Sequence, residues 1–320
     1  MLHDARSRSS DAPLTVLYTD SPGSVIQACM IDFSKAFDRI DHSILVRKLQ
    51  LLNVHPLLIN WCANFLRDRY LRVKLGSFKS SWKLIHAGVP QGTKLGPLLF
   101  LVMINDLTTR FPMYKYVDDC TVYEVVSVPY ASQLQNGLDD IDNWTEVNNM
   151  RINAKKTKEL RVSFLKEVPR FNDLSAKNNT VDVVSQFKLL GVIISSDQTW
   201  NSHIDYICSK ASKRLYSMRI LKRLGKPIHD LAQIYCTFVR PILEYACQVR
   251  HFSLTEKLSN EIEQIQKRAV KTILPNLSSY SERLRFLKLD TLFKCNTDRF
   301  SKSFICQALK LWDSCTYRIT

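Results

Sequence analysis

Apolar residues recur with two different periods along the first half of the chain. Residues 26–34, IQACMIDFS, form a short apolar run typical of a buried strand. The segments HSILVRKLQLL and PLLINWCANFLRDR carry apolar residues at helical spacing, and Pro56 opens the second of them as a helix-start residue. Apolar and polar residues then alternate over residues 71–75 before Gly76, which predicts a hairpin within YLRVKLGSFKSSWKLIHAG.

The next segments continue this alternation of helices and strands. Pro97 stands at the start of a predicted helix in GPLLFLVMINDLTTRF, and YVDDCTVYEVV predicts a strand, a tight turn and a strand. A further helix is predicted from four apolar residues on one face: Leu134, Leu138, Ile141 and Trp144. The order strand, helices, strands, helix, strand pair, helix indicates an α+β fold.

From Trp200 onward the pattern is helical. A long helix is predicted from residues that share one face: Trp200, Ile204, Ile207, Ala211, Leu215, Met218 and Leu221. HDLAQIYCTFVRPILEYACQVR is a second helical region, which Pro241 should kink or split, and LTEKLSNEIEQIQKRAVKTIL is a third. We therefore expect a domain boundary near residues 196–200.

Charge and cysteine content restrict the class of protein. The 320 residues carry a formal net charge of +15, with 21 Lys/Arg against 10 Asp/Glu over residues 201–320. This excess favours a polyanionic partner, most simply nucleic acid. The nine cysteines show no zinc-like spacing and are expected to be reduced thiols of an intracellular protein. No apolar run approaches the length of a membrane span.

Two adjacent carboxylates, Asp118 and Asp119, interrupt the apolar run YKYVDDCTVYEVV. An Asp-Asp pair is also common in turns, so the pair alone leaves a structural role open. A third carboxylate, Asp32, ends the predicted strand at residues 26–34. Three carboxylates on adjacent strand ends can hold two Mg²⁺ ions roughly 3.5–4 Å apart, as nucleotidyl transfer requires.

Five motifs, in order, resemble the reverse transcriptase of a non-LTR (LINE-type, jockey-like) retrotransposon. They are DFSKAFDRIDHSIL, AGVPQGTKLGPLLFLVMINDL, YVDDCTV, INAKKTKEL and FKLLGVIISSDQTWNSHI. The resemblance extends from about Ala28 to about Leu274. It implies a ferredoxin-like palm of βαββαβ type, followed by a mainly α-helical thumb and C-terminal region.

The resemblance also implies a division of the chain. Residues 1–27 would be a remnant N-terminal segment and residues 28–198 a palm with partial fingers. Residues 199–250 would form the helical thumb, and residues 251–320 a helical C-terminal region. Only 31 residues precede Asp32, so the endonuclease and most of the fingers of fuller family members are expected to be absent.

The implied metal ligands are Asp32 and Asp118, assisted by the backbone carbonyl of Phe33, with Asp119 as a third carboxylate. The cofactor would be two Mg²⁺ ions, with Mn²⁺ as a possible substitute. Asp38 and Asp41 also lie near Asp32 in the sequence but are not expected to be metal ligands, and local capping or pairing is the favoured interpretation of Asp38.

Other motif positions match nucleotide-handling residues of the family. Lys156, rather than Lys158, would act as an acid toward the departing pyrophosphate. Phe37 would pack against the sugar and exclude a 2′-hydroxyl, or would be plain core. Gln91 and Gly92 of the Pro-Gln-Gly motif would border the incoming nucleotide and the template.

The basic run KASKRLYSMRILKRLGK would contact phosphates, although a solvated face remains the alternative. Its basic residues are Lys210, Lys213, Arg214, Arg219, Lys222, Arg223 and Lys226. The strand pair around LGVIIS would grip the primer.

The resemblance thus implies an RNA-directed DNA polymerase that transfers nucleotides from dNTPs to a primer 3′-hydroxyl. Its partners would be an RNA template and a DNA primer, with no membrane, inside the cell and in the nucleus when chromosomal DNA is the target. The alternative is a catalytically inactive retroelement remnant that only binds nucleic acid. With most of the fingers absent, nucleic-acid and metal binding should survive while processive synthesis is absent or very slow.

Overall fold

A computed structural model of the chain describes residues 24–127, 130–163, 165, 169–250 and 253–293. The described residues divide into two compact units, of which one ends at Ser185 and the other begins at Gln186. Most of the predicted N-terminal segment and the end of the predicted C-terminal region lie outside the described residues.

The first unit combines a sheet with helices, as the α+β pattern predicts. Its strands and α-helices are β1 (Ser24–Ile31), α1 (His42–Leu51), α2 (Pro56–Leu66), β2 (Tyr70–Leu71), β3 (Lys74–Leu75), β4 (Phe78–Lys79), β5 (Lys83–Leu84), α3 (Leu95–Ile104), β6 (Met113–Tyr116), β7 (Asp119–Ser127), α4 (Leu134–Val147), β8 (Lys158–Ser163), β9 (Ser175–Ala176), β10 (Asn179–Thr180) and β11 (Asp182–Val184). A 3₁₀ turn, Ala36–Arg39, lies between β1 and α1.

The main sheet has the strand order β11–β8–β1–β7–β6. Strand β1 runs antiparallel to both of its neighbours, β7 and β8, and β6 runs antiparallel to β7. Strand β11 pairs parallel with β8. Because β1 is central, seven of its eight residues are buried, which explains its almost continuous apolar sequence.

One polar group in the middle of this sheet is paired rather than left alone. Gln27 of β1 donates from Nε2 to Oε1 of the buried Glu159 at 2.7 Å. Arg161 donates from Nε to the same carboxylate oxygen at 2.5 Å. The pairing offsets part of the cost of removing a carboxylate from water.

Helices cover one face of this sheet and form its hydrophobic core. Leu45 of α1, Leu99 and Phe100 of α3, and Leu138 and Ile141 of α4 are almost completely inaccessible to solvent and belong to one cluster with the strand residues. The predicted apolar face of α4 is therefore confirmed, with Trp144 half-buried at its end.

The second unit opens with a strand pair and continues as helices. Its elements are β12 (Gln186–Leu189), β13 (Val192–Ser195), α5 (Asn201–Arg223), α6 (Ile228–Ile234), α7 (Arg240–Glu244), α8 (Cys247–Arg250), α9 (Glu256–Ile273) and α10 (Tyr280–Leu287). The predicted face of α5 is buried from Ile204 to Met218.

The kink expected at Pro241 is present as a change of helix type. A π-helical segment, Tyr235–Val239, separates α6 from α7, and Pro241 is the second residue of α7. Proline has no N–H to donate and its ring crowds the preceding turn, so a regular α-helix cannot continue through this point.

The boundary between the units falls before the strand pair, whereas residues 196–200 were expected to hold it. The pair is tied to the helices that follow: the Ile193 N–H donates to His203 Nδ1 at 3.3 Å, and the Tyr245 hydroxyl donates to the Leu190 carbonyl at 2.7 Å. These contacts join residues far apart in sequence, which a change in local pattern cannot reveal.

Helix hydrophobicity and the state of the cysteines bear on the class of protein. None of the helices that the structure describes is both long and apolar enough to cross a membrane. None of the cysteines in the same residues forms a disulfide bond, and four of them are buried.

Candidate active site

Strand register brings two of the predicted carboxylates to the same end of the sheet. Ile31, the last residue of β1, pairs with Cys120 of the antiparallel β7. Asp32 follows Ile31 and Asp119 precedes Cys120, so the two aspartates lie across from each other at the strand ends.

The third carboxylate, Asp118, lies in the turn that joins β6 to β7. Tyr116 pairs with Asp119, so the turn consists of Val117 and Asp118 alone. Val117 has φ 57°, a left-handed conformation that β-branched residues rarely adopt. Its side chain packs against the core of the unit, which holds the strained turn and the aspartate beside it in place.

The electrostatics of the site show that the three carboxylates act on one another. Burial raises the pKa of Asp119, and the neighbouring charges of Asp118 and Asp32 raise it further. The Oδ2 atom of Asp32 is buried and has no hydrogen-bond partner within the described part of the chain. Its cationic neighbour is Lys156, whose Nζ lies 3.9 Å away.

The segment that carries Lys156 is fixed to the backbone around Asp32. Asn153 N–H donates to the Asp32 carbonyl at 2.7 Å, and Ser34 N–H donates to the Arg151 carbonyl at 2.8 Å. These bonds flank an antiparallel bridge between Phe33 and Ile152, which leaves the Phe33 carbonyl outside its hydrogen bonds. Asn153 belongs to the quoted INAKKTKEL motif, but its role as an anchor is not visible in the sequence.

The structure separates the two candidate lysines. Lys156 is largely exposed and close to Asp32. Lys158 begins β8 and forms an ion pair with Asp182 of β11 at 2.6 Å. The geometry therefore brings Lys156, and not Lys158, to the carboxylates.

The loop that contains the Pro-Gln-Gly motif packs against the turn that follows Asp32. Gly88 has φ +88°, and a Cβ on it would lie 2.8 Å from the Asp38 backbone. Gly88 N–H donates to the Ile40 carbonyl, and Val89 N–H donates to the Phe37 carbonyl. Gly88 is not among the site residues predicted from the sequence, although a glycine just before the motif is a signal for close backbone approach.

The predicted nucleotide-handling residues stand beside this contact. Phe37 is half-buried and stacks on Phe100 with ring centroids 4.6 Å apart. Gln91 approaches Asp38 at 3.4 Å, a weak contact, and Gly92 has φ +79° with open space around it. Together with Arg69 and Tyr70, Gln91 lines a cleft of about 420 Å³.

Asp41 has a structural role. It caps α1 by accepting from the N–H groups of Ser43 and Ile44. A hydrogen bond from the Ser43 hydroxyl, and then these backbone bonds, hold its pKa below the usual range. Asp38 is likewise in contact with Gln91 and with the Gly88 loop. The structure places neither residue among the three converging carboxylates.

The chemistry of the donor set fits a hard divalent cation. Carboxylate oxygens are the preferred ligands of Mg²⁺, and the partnerless Oδ2 of Asp32 is such an oxygen. Within the described residues, however, no group of three His, Cys, Asp or Glu side chains is arranged closely enough to enclose an ion.

The seven basic residues predicted to contact phosphate divide into two groups. Arg214 donates to the Phe238 carbonyl with its guanidinium over the Phe238 ring, and Lys222 donates to the Thr272 carbonyl. The remaining five are exposed: Lys210, Lys213, Arg219, Arg223 and Lys226. Lys222 lies four residues after the apolar Met218 and therefore on the same side of the helix. This spacing could have distinguished Lys222 from the exposed lysines and arginines in the sequence.

A second basic site, missed in the sequence, lies between the strand pair and α5. Lys188 donates from Nζ to the Tyr206 hydroxyl at 2.8 Å and lies over the Tyr206 ring. This hydrogen bond lowers the pKa of Tyr206, and Lys210 adds to the effect. With Tyr245, these residues line a pocket of about 330 Å³.

Comparison with known proteins places the chain in a family. The family described as "Reverse transcriptase (RNA-dependent DNA polymerase)" matches residues 10–194. The RNA-directed DNA polymerase from mobile element jockey of Drosophila melanogaster is 30% identical over 257 residues, which are 76% of this chain and 28% of that protein. The probable RNA-directed DNA polymerase from transposon BS of the same species is 26% identical over 261 residues, again 28% of its length.

A solved structure, that of apo telomerase from Candida tropicalis, aligns with a TM-score of 0.47 and 13% identity over 89% of this chain and 48% of that chain. The chain spans about 28% of the length of the jockey and BS polymerases. The family match covers more than half of the chain, and the resemblance to jockey-type polymerases expected from the five motifs is confirmed. The chain therefore belongs to the reverse transcriptase (RNA-dependent DNA polymerase) family.

Proposed function

We propose that this chain carries the catalytic residues of an RNA-directed DNA polymerase from a non-LTR retrotransposon. The observation that carries the proposal is the placement of Asp32, Asp118 and Asp119 at the adjoining ends of β1 and β7, with Lys156 beside Asp32. Carboxylates at such a strand end suit metal-dependent phosphoryl chemistry, and family membership indicates which form of it.

Asp32 and Asp118 would be the main ligands of two Mg²⁺ ions, or of Mn²⁺ in their place, with Asp119 and the Phe33 carbonyl in supporting roles. When bound, the ions would activate the primer 3′-hydroxyl and neutralise charge on the phosphates. The pKa of Asp119 is raised by burial and then by the charges of Asp118 and Asp32, so a cation at this strand end would offset that repulsion.

The chain's own residues would position the nucleotide and the leaving group. Lys156 is exposed and close enough to Asp32 to supply a proton to the departing pyrophosphate. Phe37 presents a stacked, half-buried ring beside the same turn, in keeping with contact to the sugar. Gln91 and Gly92 would border the incoming nucleotide and the template at the neighbouring cleft.

The first unit would be the palm and the second would supply the thumb. Strands β8, β1, β7 and β6 are adjacent in that order, with helices between β1 and β6 and between β7 and β8, in keeping with a βαββαβ palm. The strand pair β12–β13 and the exposed cations of α5 would hold the primer–template backbone, with Lys188 and Lys210 near the primer. Action on chromosomal DNA would place the protein in the nucleus.

Primer extension on the purified chain tests the proposal. An RNA template with an annealed DNA primer and dNTPs should give slow, non-processive extension with Mg²⁺ or Mn²⁺ and none in EDTA. Asp118→Ala should abolish extension, while Glu146→Ala, which removes an exposed carboxylate of α4, should leave it unchanged.

A metal-binding readout keeps the proposal testable if extension is too slow to detect. Mn²⁺ or Mg²⁺ should raise the melting temperature of the wild type and of Glu146→Ala, but not that of Asp32→Asn or Asp118→Asn. Nucleic-acid binding without any Asp118-dependent extension or metal response would favour the remnant that only binds nucleic acid.

A further inference from the structure

The hairpin between α2 and the Pro-Gln-Gly loop forms a ribbon with an unusual surface. It consists of residues 69–85 and contains β2 to β5, with β2 paired to β5 and β3 to β4. All eight residues of these short strands are exposed. The ribbon carries five cations, Arg69, Arg72, Lys74, Lys79 and Lys83, and no acidic residue.

Strand register sorts these side chains onto two faces. Tyr70 pairs with Leu84, and Lys74 pairs with Lys79. Between these pairs the Arg72 guanidinium lies 4.4 Å from the centroid of the Trp82 ring. Tyr70, Arg72 and Lys74 alternate along the first arm and so share a face, and each faces its partner on the second arm, where the register shifts by one residue between Lys83 and Lys79. These three pairs form one surface, which we term the cation–aromatic face.

The opposite face has a different chemistry. It carries Leu71, Val73, Leu75 and Phe78 together with Lys83, because Leu71 pairs with Lys83 and Leu75 with Phe78. Arg69, at the base of the ribbon, donates to the Phe65 carbonyl instead. The two faces therefore offer a matched comparison, since one lysine can be removed from either.

The cation–aromatic face has the two features that single-stranded nucleic acid requires. Its charges attract the phosphate backbone, and its aromatic rings offer platforms for bases. Tyr70 is 58% exposed and Trp82 is 59% exposed, far more than rings that serve a core. The Arg72–Trp82 stack adds a planar cation on which a base can also stack.

The base of the ribbon connects this face to the candidate active site. Ile85 N–H donates to the Arg69 carbonyl at 2.8 Å and closes the ribbon where it meets the following loop. Arg69 and Tyr70 line the same cleft as Pro90 and Gln91. A strand lying on the face would therefore lead toward the Pro-Gln-Gly motif.

We propose that the cation–aromatic face of this ribbon binds single-stranded nucleic acid without sequence preference. The identification of that strand as the RNA template rests on the proposed function, whereas the binding itself does not. Phosphates contact Arg72, Lys74 and Lys79, and bases stack on Tyr70 and on the Arg72–Trp82 pair.

Fluorescence anisotropy with a labelled, unstructured RNA oligonucleotide tests this in EDTA, without dNTPs, on the full chain. Lys74→Gln should lower the slope of log K against log salt by about 0.7, the contribution of one single-strand phosphate contact, and Lys74→Gln together with Lys79→Gln should lower it by about 1.4. Trp82→Ala should weaken binding about tenfold through lost stacking. Lys83→Gln, on the opposite face, should change the affinity less than twofold.

Photo-crosslinking of a 4-thiouridine RNA gives a readout independent of any substitution, and the crosslinked peptide should contain Tyr70 or Trp82. An unchanged salt slope in the double variant, or equal losses from Lys83→Gln, would overturn the proposal. Binding to anionic vesicles or to a protein that depends on Leu75, with no effect of Trp82→Ala on RNA, would assign the ribbon to that partner instead.

The assay also distinguishes this inference from the proposed function. Asp118→Ala should bind RNA as the wild type does. If the chain shows no extension but its RNA binding still depends on the ribbon residues, the proposed function fails and this inference stands. If a ribbon variant still extends the primer and binds RNA with unaltered affinity, this inference fails and the proposed function stands.

Discussion

Asp32 is held by its backbone more than by its side chain. Its carbonyl accepts from Asn153 N–H at 2.7 Å, and its N–H approaches the Thr157 hydroxyl at 3.3 Å. Its carboxylate has the distant ion pair with Lys156. A residue held in this way can change the charge of its side chain without losing its place, as a metal ligand requires.

Phe37 provides the first prediction at this scale. Phe37→Val removes the ring beside the candidate nucleotide site, so an extension-competent version of the chain should use ribonucleotides more readily. The measurement is the ratio of rNTP to dNTP incorporation. Phe100→Leu also loses the ring stack but lies in the core, and it should lower stability without changing this ratio. Unchanged selectivity in Phe37→Val would make Phe37 a core residue only.

His203 gives a pH-dependent prediction in the second unit. Burial lowers its pKa to about 4, and the charges of Arg250 and Lys188 act in the same direction. The unfolded chain therefore takes up a proton near pH 6.5, before the folded chain does. The free energy of unfolding should fall between pH 6.5 and 4, by at most ~1.4 kcal/mol per pH unit from this residue.

His203→Asn retains an acceptor for the Ile193 N–H and removes the titration. Urea unfolding at pH 7, 6 and 5 should show a weaker pH dependence in this variant than in the wild type. His229→Asn, at an exposed position of α6, is the control and should keep the wild-type dependence. An identical pH dependence in all three proteins would contradict the assignment.

At the scale of elements, loops with glycine set the spacing around the candidate site. Gly88 and Gly92 both have positive φ, but they differ in what surrounds them. A side chain at Gly88 would collide with the Asp38 backbone, whereas Gly92 has open space. Gly88 is therefore needed because two loops approach closely there, whereas Gly92 is needed only for its positive φ.

Gly88→Ala should therefore be more damaging than Gly92→Ala. Both variants incur the cost of a left-handed alanine, ~1–2 kcal/mol, but only Gly88→Ala must also displace the Pro-Gln-Gly loop from the turn after Asp32. Thermal unfolding should show the larger loss for Gly88→Ala, accompanied by weaker dNTP binding. Equal losses in the two variants would mean that the contact with Asp38 contributes nothing.

At the scale of the whole molecule, positive charge is concentrated after residue 200. Residues 201–320 carry a net charge of +11, as 21 cations against 10 acids. Within α5, however, some cations serve the fold. Arg214 and Lys222 donate to carbonyls of neighbouring helices, while Lys213 and Arg219 are exposed.

These two pairs make a charge-matched test of nucleic-acid binding by α5. Lys213→Gln with Arg219→Gln should lower the slope of log K against log salt by about 1.4–1.8 on a primer–template duplex. Arg214→Gln with Lys222→Gln removes the same charge but should mainly lower the melting temperature. A flattened slope in the second pair alone would show that α5 binds phosphate through the side facing the helices.

Much of the fold and of the site follows from local sequence. The spacing of apolar residues predicted β1, α4 and α5, because the buried side chains of a strand or a helix recur at the period of that element. Asp32, Asp118 and Asp119 could be expected to meet because each stands at a strand end or in the turn that joins two strands. Family membership followed from five ordered motifs, which need no knowledge of contacts.

Tertiary structure decided which of several similar side chains reach the site. Strand register brought Lys156 to Asp32 and paired Lys158 with Asp182, and helix packing directed Arg214 and Lys222 toward carbonyls. It also assigned the strand pair β12–β13 to the helical unit. Each of these outcomes depends on a partner distant in the chain, so local spacing cannot predict it. Residue type and spacing alone determined which chemical groups this protein has, and packing determined which of those groups lie at the candidate site.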